Sequence, residues 1–279
     1  MPQTPTLYDI SIILVSSAFF IAYEYFNKWL TLDAIRKFVK GDTAEMKEFY
    51  ANKALANSYK MQYFVFASIW GFYVLKPSGW LNWEIGGTLS IAESTKFLLS
   101  TMPYTPIPRN MQIYALVTLG FHVGEWFAMV FLREPTSDYY EMTLHHIATF
   151  TCYYVTLTCN GGLGYVGFYL HDIADIFTAM GRLLSSTNYE GASLVCGVLL
   201  ISTWIWTRLY ILPQYLYAMW TTPVSECMAI LQWMNIFQTM VLQFLHIYWF
   251  YLIIGMMIHK IKSGKFEDKS SRKIESKTN

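Results

Sequence analysis

Two short blocks concentrate the side chains able to do chemistry. The first, Asp138-Tyr-Tyr-Glu141-Met-Thr-Leu-His145-His146-Ile-Ala-Thr149, carries adjacent histidines, and the second, Leu170-His171-Asp172-Ile-Ala-Asp175, carries a histidine and two carboxylates. His171 and Asp175 are four apart and Asp172 and Asp175 three apart, so a helix would hold all three on one face. Glu141 and His145 repeat the four-residue spacing, and His146 and Thr149 the three-residue one. Adjacent helical residues point about 100° apart, so one histidine can face a substrate while its neighbour braces it. A histidine poised near neutrality acts as a general base, and a carboxylate bonded to its ring fixes the tautomer and stabilises the imidazolium. It can equally act as the nucleophile and carry an acyl group. Such a set in apolar surroundings suits acyl transfer to an amphipathic substrate. A mononuclear zinc held by two histidines and an aspartate is the competing chemistry. Di-iron chemistry is disfavoured, because the chain has six histidines and only a bare His-His pair in place of spaced boxes. The expectation is a site with no resident metal.

Further polar residues interrupt apolar stretches: His122, Glu125, Arg208, Gln243 and His246. An ionisable group at mid-bilayer costs about 2.5–3.5 kcal/mol even on the lenient insertion scale. These groups must face an interior cavity and partner one another. For His122, Glu125, Gln243 and His246 the plain reading is hydrogen bonding between helices. Arg208 suits a counter-ion to Asp172 or Asp175 as well as it suits a substrate ligand.

The elements that position these groups follow from composition. Of 279 residues 54% are hydrophobic and 14% charged, with 19 Phe, 10 Trp and 21 Tyr. A soluble domain carries about a quarter charged residues, and interfacial Trp and Tyr are typical of membrane proteins. The balance of 20 Lys+Arg against 19 Asp+Glu excludes a nucleic-acid binder of the basic-surface type. The fold class is therefore all-α, a polytopic membrane helix bundle. About seven segments reach spanning length: 9–26, 61–77, 112–131, 142–159, 163–182, 194–220 and 228–259. Between the first two, 27–60 is polar and predicts an amphipathic helix lying along the membrane surface. Residues 76–110, rich in Trp, Gly and Pro, predict a re-entrant or loop structure at the interface. The organisation is then 1–60, a first span plus the amphipathic segment; 61–260, the catalytic membrane domain; and 261–279, a flexible basic tail. Seven basic residues lie in 27–60 and seven in the tail, and the positive-inside rule puts both on the cytosolic face with the N-terminus lumenal. Cys152, Cys159, Cys196 and Cys227 are scattered, as small packing residues would be.

These blocks resemble the ceramide synthases, a family within the TLC-domain superfamily. The first block is similar to the family's Asp-Phe…His-His-x-x-Thr sequence and the second to its His-Asp-x-Ser-Asp sequence. Met102-Pro-Tyr-Thr-Pro106, Thr207-Arg208-Leu-Tyr-Ile-Leu-Pro213 and Leu242-Gln243-Phe-Leu-His246-Ile-Tyr-Trp249-Phe-Tyr-Leu252 follow in family order. The chain departs from the family at Pro135-Thr-Ser137, where basic residues usually precede Asp138, and at Ala179 and Arg182, where Glu and Lys are usual. The resemblance implies a six-to-seven-helix TLC domain around an intramembrane cavity, in the endoplasmic reticulum membrane. It implies N-acylation of a sphingoid base, with acyl-CoA as co-substrate and no further cofactor. His145 or His146 would be base or transient acyl acceptor, and Asp172 and Asp175 would orient it and hold the substrate ammonium. His171, Asp138, Arg208 and His246 fall to substrate binding, and Arg133 and Arg182 to the coenzyme A phosphates. A homodimer or an accessory subunit is compatible with the sequence. The alternative class is a non-catalytic TLC-domain protein that binds, senses or transports lipids, and acylation of another lipid amine or hydroxyl also fits the residues.

Overall fold

The computed structural model describes residues 6–100, 102, 106–133, 138–159, 161–224 and 226–263. The basic residues Lys265, Lys269, Arg272, Lys273 and Lys277, the segments 103–105 and 135–137, and the Cys227 side chain lie outside them.

The described chain is all helical. Helix α1 (Leu7–Arg36) is started by Thr6, whose side chain accepts from the Asp9 N–H while Asp9 reaches back to the Thr6 N–H, a reciprocal cap that satisfies two otherwise orphaned donors. Helix α2 (Ala44–Leu75) is capped by Thr43, which accepts from the Met46 N–H. Then come α3 (Ile91–Ser100), α4 (Arg109–Phe127), α5 (Tyr139–Thr158), α6 (Gly162–Leu184), α7 (Glu190–Trp204), α8 (Leu212–Thr221) and α9 (Glu226–Ser263). Two π-helical segments extend them: Ala128–Leu132 prolongs α4, and Ile205–Ile211 joins α7 to α8 into one rod. Four rods are long and apolar enough to cross a membrane: Leu7–Arg36, Arg109–Leu132, Gly191–Thr221 and Ala229–Lys262. The protein is a multi-pass membrane protein. Helices α2, α5 and α6 are of spanning length but carry the polar side chains that dilute their apolarity.

Residues 27–60 differ from the expected surface helix. Helix α1 continues to Arg36 and α2 begins at Ala44, so the segment is the ends of two long helices around a seven-residue turn. The expected boundary at residue 60 falls inside α2. Tertiary packing decides this: the turn is tied to the α6–α7 connection by Lys40 N–H donating to Ser186 O (3.0 Å) and Asn188 N–H to Phe38 O (3.4 Å). Of the apolar residues that suggested a surface stripe, Ile35, Val39 and Met46 pack inward with Tyr50, Ala51 and Ala54, while Leu30 and Phe38 stay exposed.

Residues 76–110 hold a compact knot of two short 3₁₀ turns and α3, more ordered than the expected loop. Asn82 is fully buried at its centre and accepts from the Tyr215 hydroxyl at 2.8 Å, while Ser94 donates to Trp80 O at 2.7 Å. The knot's helix α3 packs against α6 and α8. The main core lies beside it, where Leu75, Trp80, Leu98, Met111, Tyr165 and Leu170 pack together.

Candidate active site

Four elements converge on the two blocks. Helix α5 supplies His145 and His146, α6 supplies His171, Asp172 and Asp175, the π segment supplies Arg208, and α9 supplies His246. The short 159–161 connection makes α5 and α6 antiparallel neighbours. At their start Gly164 abuts Thr156, where a Cβ would overlap the Thr156 hydroxyl, so glycine lets the helices close.

Arg208 owes its position to the π segment. Pro213 has no N–H to offer the Leu209 carbonyl, and the backbone widens ahead of it, with the Leu212 N–H reaching Thr207 O, five residues back. The widened turn sends Arg208 inward, where it is buried at 2% exposure. One nitrogen of its guanidinium, Nη2, donates to Asp175 Oδ1 at 2.6 Å and to the His171 carbonyl at 3.2 Å. The guanidinium lies 4.3 Å from the Trp204 ring centre. Arg208 is thus the counter-ion of Asp175, one of its two expected roles.

Asp172 faces the other way. It is buried and accepts a hydrogen bond from the Tyr114 hydroxyl of α4 at 3.2 Å. The approach of Tyr114 depends on Gly71 of α2, where a Cβ would stand 2.8 Å from that hydroxyl. Neither aspartate is hydrogen-bonded to His145 or His146 among the described residues: the expected carboxylate brace on the histidine pair is not formed, and the aspartates are held by Tyr114 and Arg208 instead. Side chains three apart on one helix sit on one face yet diverge, and here they reach different neighbours.

The histidine rings form two groups, which Trp249 joins. His122 lies 6.2 Å from His146, His146 5.6 Å from His145, and His171 5.0 Å from His246. Trp249 packs on His145 at 5.5 Å, and the Trp204 indole N–H donates to His246 O at 3.1 Å, fixing α9 to α7 at that residue. His171 Nδ1 lies 2.7 Å from Gly167 O. Several buried nitrogens have no hydrogen-bond partner among the described residues: Nδ1 of His145 and of His146, Nε2 of His171, and both nitrogens of His246. Buried polar groups are normally paired, so this concentration marks where a polar ligand belongs. Among the described residues no three His, Cys, Asp or Glu side chains are arranged to hold a metal ion.

The remaining expected residues sit at the end of the bundle that holds the α1–α2 turn. Arg182, half exposed, lies 3.5 Å from Asp138, the residue just before α5. Arg133 is tied down, with Glu125 at 3.0 Å and Glu24 as a second partner, and Lys60 meets Glu125 at 2.6 Å. This ionic cluster joins α1, α2 and α4. Glu125 therefore bonds between helices as expected, whereas Gln243 Oε1 and the His246 ring do not. Sequence reasoning missed Tyr114, Trp204, Trp249, Lys60 and Glu24. The four-residue spacing of Trp204 and Arg208 and the three-residue spacing of His246 and Trp249 were visible signals, but nothing local links Tyr114 to Asp172.

A family model for the TLC domain matches residues 53–255, well over half of the chain. Relatives include the ceramide synthase hyl-2 of Caenorhabditis elegans, 26% identical over 179 residues (60% of this chain and 54% of that protein). The ceramide synthase hyl-1 of the same organism is 25% identical over 236 residues, covering 78% of this chain and 60% of its own. Ceramide synthase 1 LOH3 of Arabidopsis thaliana is 23% identical over 296 residues, 95% of this chain and 91% of that protein. The chain thus spans between half and two thirds of the nematode relatives and nearly all of the plant one. All the groups just described, save Glu24, fall inside the matched region, and on that match the chain belongs to the TLC-domain family.

Proposed function

We propose that the protein is a ceramide synthase, transferring a fatty acyl group from acyl-CoA to the amine of a sphingoid base to give a (dihydro)ceramide and free coenzyme A. The observation that carries the reading is the convergence of His145, His146, His171, Asp172, Asp175 and His246 inside a membrane bundle, with buried ring nitrogens that have no partner among the described residues. The names of the relatives point to the same reaction. The seven rods, α1, α2, α4, α5, α6, α7–α8 and α9, each cross the membrane once, with the N-terminus lumenal and the C-terminus cytosolic in the endoplasmic reticulum. The His145–His146 pair then lies toward the cytosolic face, where acyl-CoA is dissolved.

In this reading His145 and His146 meet the acyl carbonyl, Asp175 beside His171 receives the substrate ammonium, and Asp172, held by Tyr114, fixes α6 against α4. No resident metal takes part. The amine must lose a proton before it attacks, and a buried imidazole supplies the acceptor. Arg182 is the cation we assign to the coenzyme A phosphates. Arg133, neutralised by Glu24 and Glu125, stiffens the three helices instead.

The test is turnover by purified protein in detergent with labelled sphinganine and a panel of acyl-CoAs, beside His145→Ala, His146→Ala and Asp172→Asn. Amide product from wild type and its loss in folded variants supports the reading. Monodisperse protein that binds lipid but yields no product with any acyl-CoA would replace it with lipid binding or transport.

A further inference from the structure

His171 differs from the other histidines of the site in one respect: the tautomer of its neutral ring is fixed by the backbone. Nδ1 lies 2.7 Å from Gly167 O, one turn earlier on α6. A carbonyl oxygen only accepts, so Nδ1 carries the hydrogen and the lone pair resides on Nε2. That Nε2 is buried and has no partner. It belongs to a ring 5.0 Å from His246, which is fully buried with neither ring nitrogen partnered. His145 and His146 have no such brace, because the Nδ1 of each is buried without a partner.

Asp175, one turn after His171, is paired with Arg208, and Arg208 binds both that carboxylate and the His171 carbonyl, which holds the turn in register. Trp204 anchors the facing α9 backbone at His246.

We infer that His171 is the proton acceptor for the incoming amine, with His246 completing the amine seat opposite it. The inference rests on the acyl-transfer reading above and divides its labour: His145 and His146 serve the acyl group, and His171 and His246 serve the nucleophile. Nε2 takes one proton from the substrate ammonium, giving imidazolium and a neutral amine. The Nδ1–H bond to Gly167 O strengthens as the ring becomes charged. The amine nitrogen then bonds to the acyl carbonyl carbon, and the thioester C–S bond breaks with its electron pair on sulfur. The second proton, lost by nitrogen as the amide forms, converts thiolate to thiol, and the imidazolium returns its proton to water.

The experiment compares two nucleophiles in the full-length protein: sphinganine, a cation at neutral pH, and its aminooxy analogue, whose nitrogen is already unprotonated there. The key variant is His171→Asn, whose amide N–H can still reach Gly167 O but which offers no lone pair at the Nε2 position. His171→Gln and His246→Gln run beside it, each with a melting temperature. General-base catalysis contributes roughly 10²–10⁴-fold, so His171→Asn loses about that factor in kcat on sphinganine. On the aminooxy analogue it loses less than about tenfold. His171→Gln gives the same split, whereas His246→Gln raises KM for both nucleophiles more than it lowers kcat. Equal losses of kcat on the two nucleophiles in folded His171→Asn and His171→Gln overturn the assignment alone, since a merely structural role would impair both. Wild type that acylates neither nucleophile overturns the acyl-transfer reading and this assignment with it.

Discussion

Neutralising Asp175 tests the energetics on which the site is built. The Asp175→Asn change removes the carboxylate from a pair 2.6 Å apart in which the arginine side chain is 3% exposed and the aspartate 23%. Removing one partner of a buried pair costs about 3–5 kcal/mol, because the other charge stays buried and uncompensated. The contact of Arg208 with Trp204 and its bond to the His171 carbonyl exist already in the wild type, so they offset nothing new. Arg208→Gln leaves the more exposed member, which can recruit solvent, and falls at the lower end of that range. The doubly neutral Arg208→Gln/Asp175→Asn protein holds no orphaned charge and recovers much of the loss. Contacting residues show coupling energies of about 0.5–3 kcal/mol in such cycles. The assay is thermal unfolding in detergent, followed by a thiol-reactive dye on the free Cys152, Cys159 and Cys196. At about 2–3 °C per kcal/mol, close to the value for domains of this size, Asp175→Asn lowers the midpoint by about 6–15 °C. Arg208→Gln lowers it less, and the double variant melts above Asp175→Asn. A double variant less stable than either single one, or Asp175→Asn melting with the wild type, refutes the reasoning.

Three further outcomes follow from the same geometry. Tyr114→Phe leaves the buried Asp172 oxygen without its donor and lowers stability by about 1–3 kcal/mol, read as a melting shift with the helical circular dichroism unchanged. Gly71→Ala crowds the Tyr114 hydroxyl, and overpacking of this kind costs about 1–3 kcal/mol; because Tyr114→Phe removes the crowded atom, the two changes together cost less than their sum. Glu125→Gln leaves Lys60 and Arg133 facing one another at the α1–α2–α4 junction, with Glu24 the remaining carboxylate partner among the described residues. It destabilises by about 3–5 kcal/mol, and Lys60→Met in the same background restores part of the midpoint.

Local pattern carried much of the molecule. The apolar runs located the long helices, and the three- and four-residue spacings gathered His171, Asp172 and Asp175 on α6, although Asp172 and Asp175 reach different neighbours there. The cost of charge in lipid required these groups to find partners, and Arg208 does meet Asp175. Where reasoning from pattern failed, the failure was one of partner choice. The apolar residues of 27–60 fit a surface stripe as well as they fit a packed turn, because periodicity reports that a face is apolar and not what covers it. The π segment was likewise hidden: Pro213 signals a break in the ladder, but the direction in which Arg208 then points depends on the helices around it.

The sequence by itself determined that this protein is an all-helical membrane protein with two histidine-bearing blocks, since bilayer thickness, helical period and desolvation cost act on residues close in the chain. Only the tertiary structure decided which buried group faces which. Tyr114 reaches Asp172 across 58 residues, Glu24 reaches Arg133 across 109, and His171 comes to face His246 from another helix. Contacts of that separation leave no local periodicity, because they arise from the packing of whole helices. The tautomer of His171 lies between the two cases. Gly167 and His171 stand one turn apart in the sequence, yet the ring turns to that carbonyl, and its other nitrogen stays unpaired, only in the folded bundle.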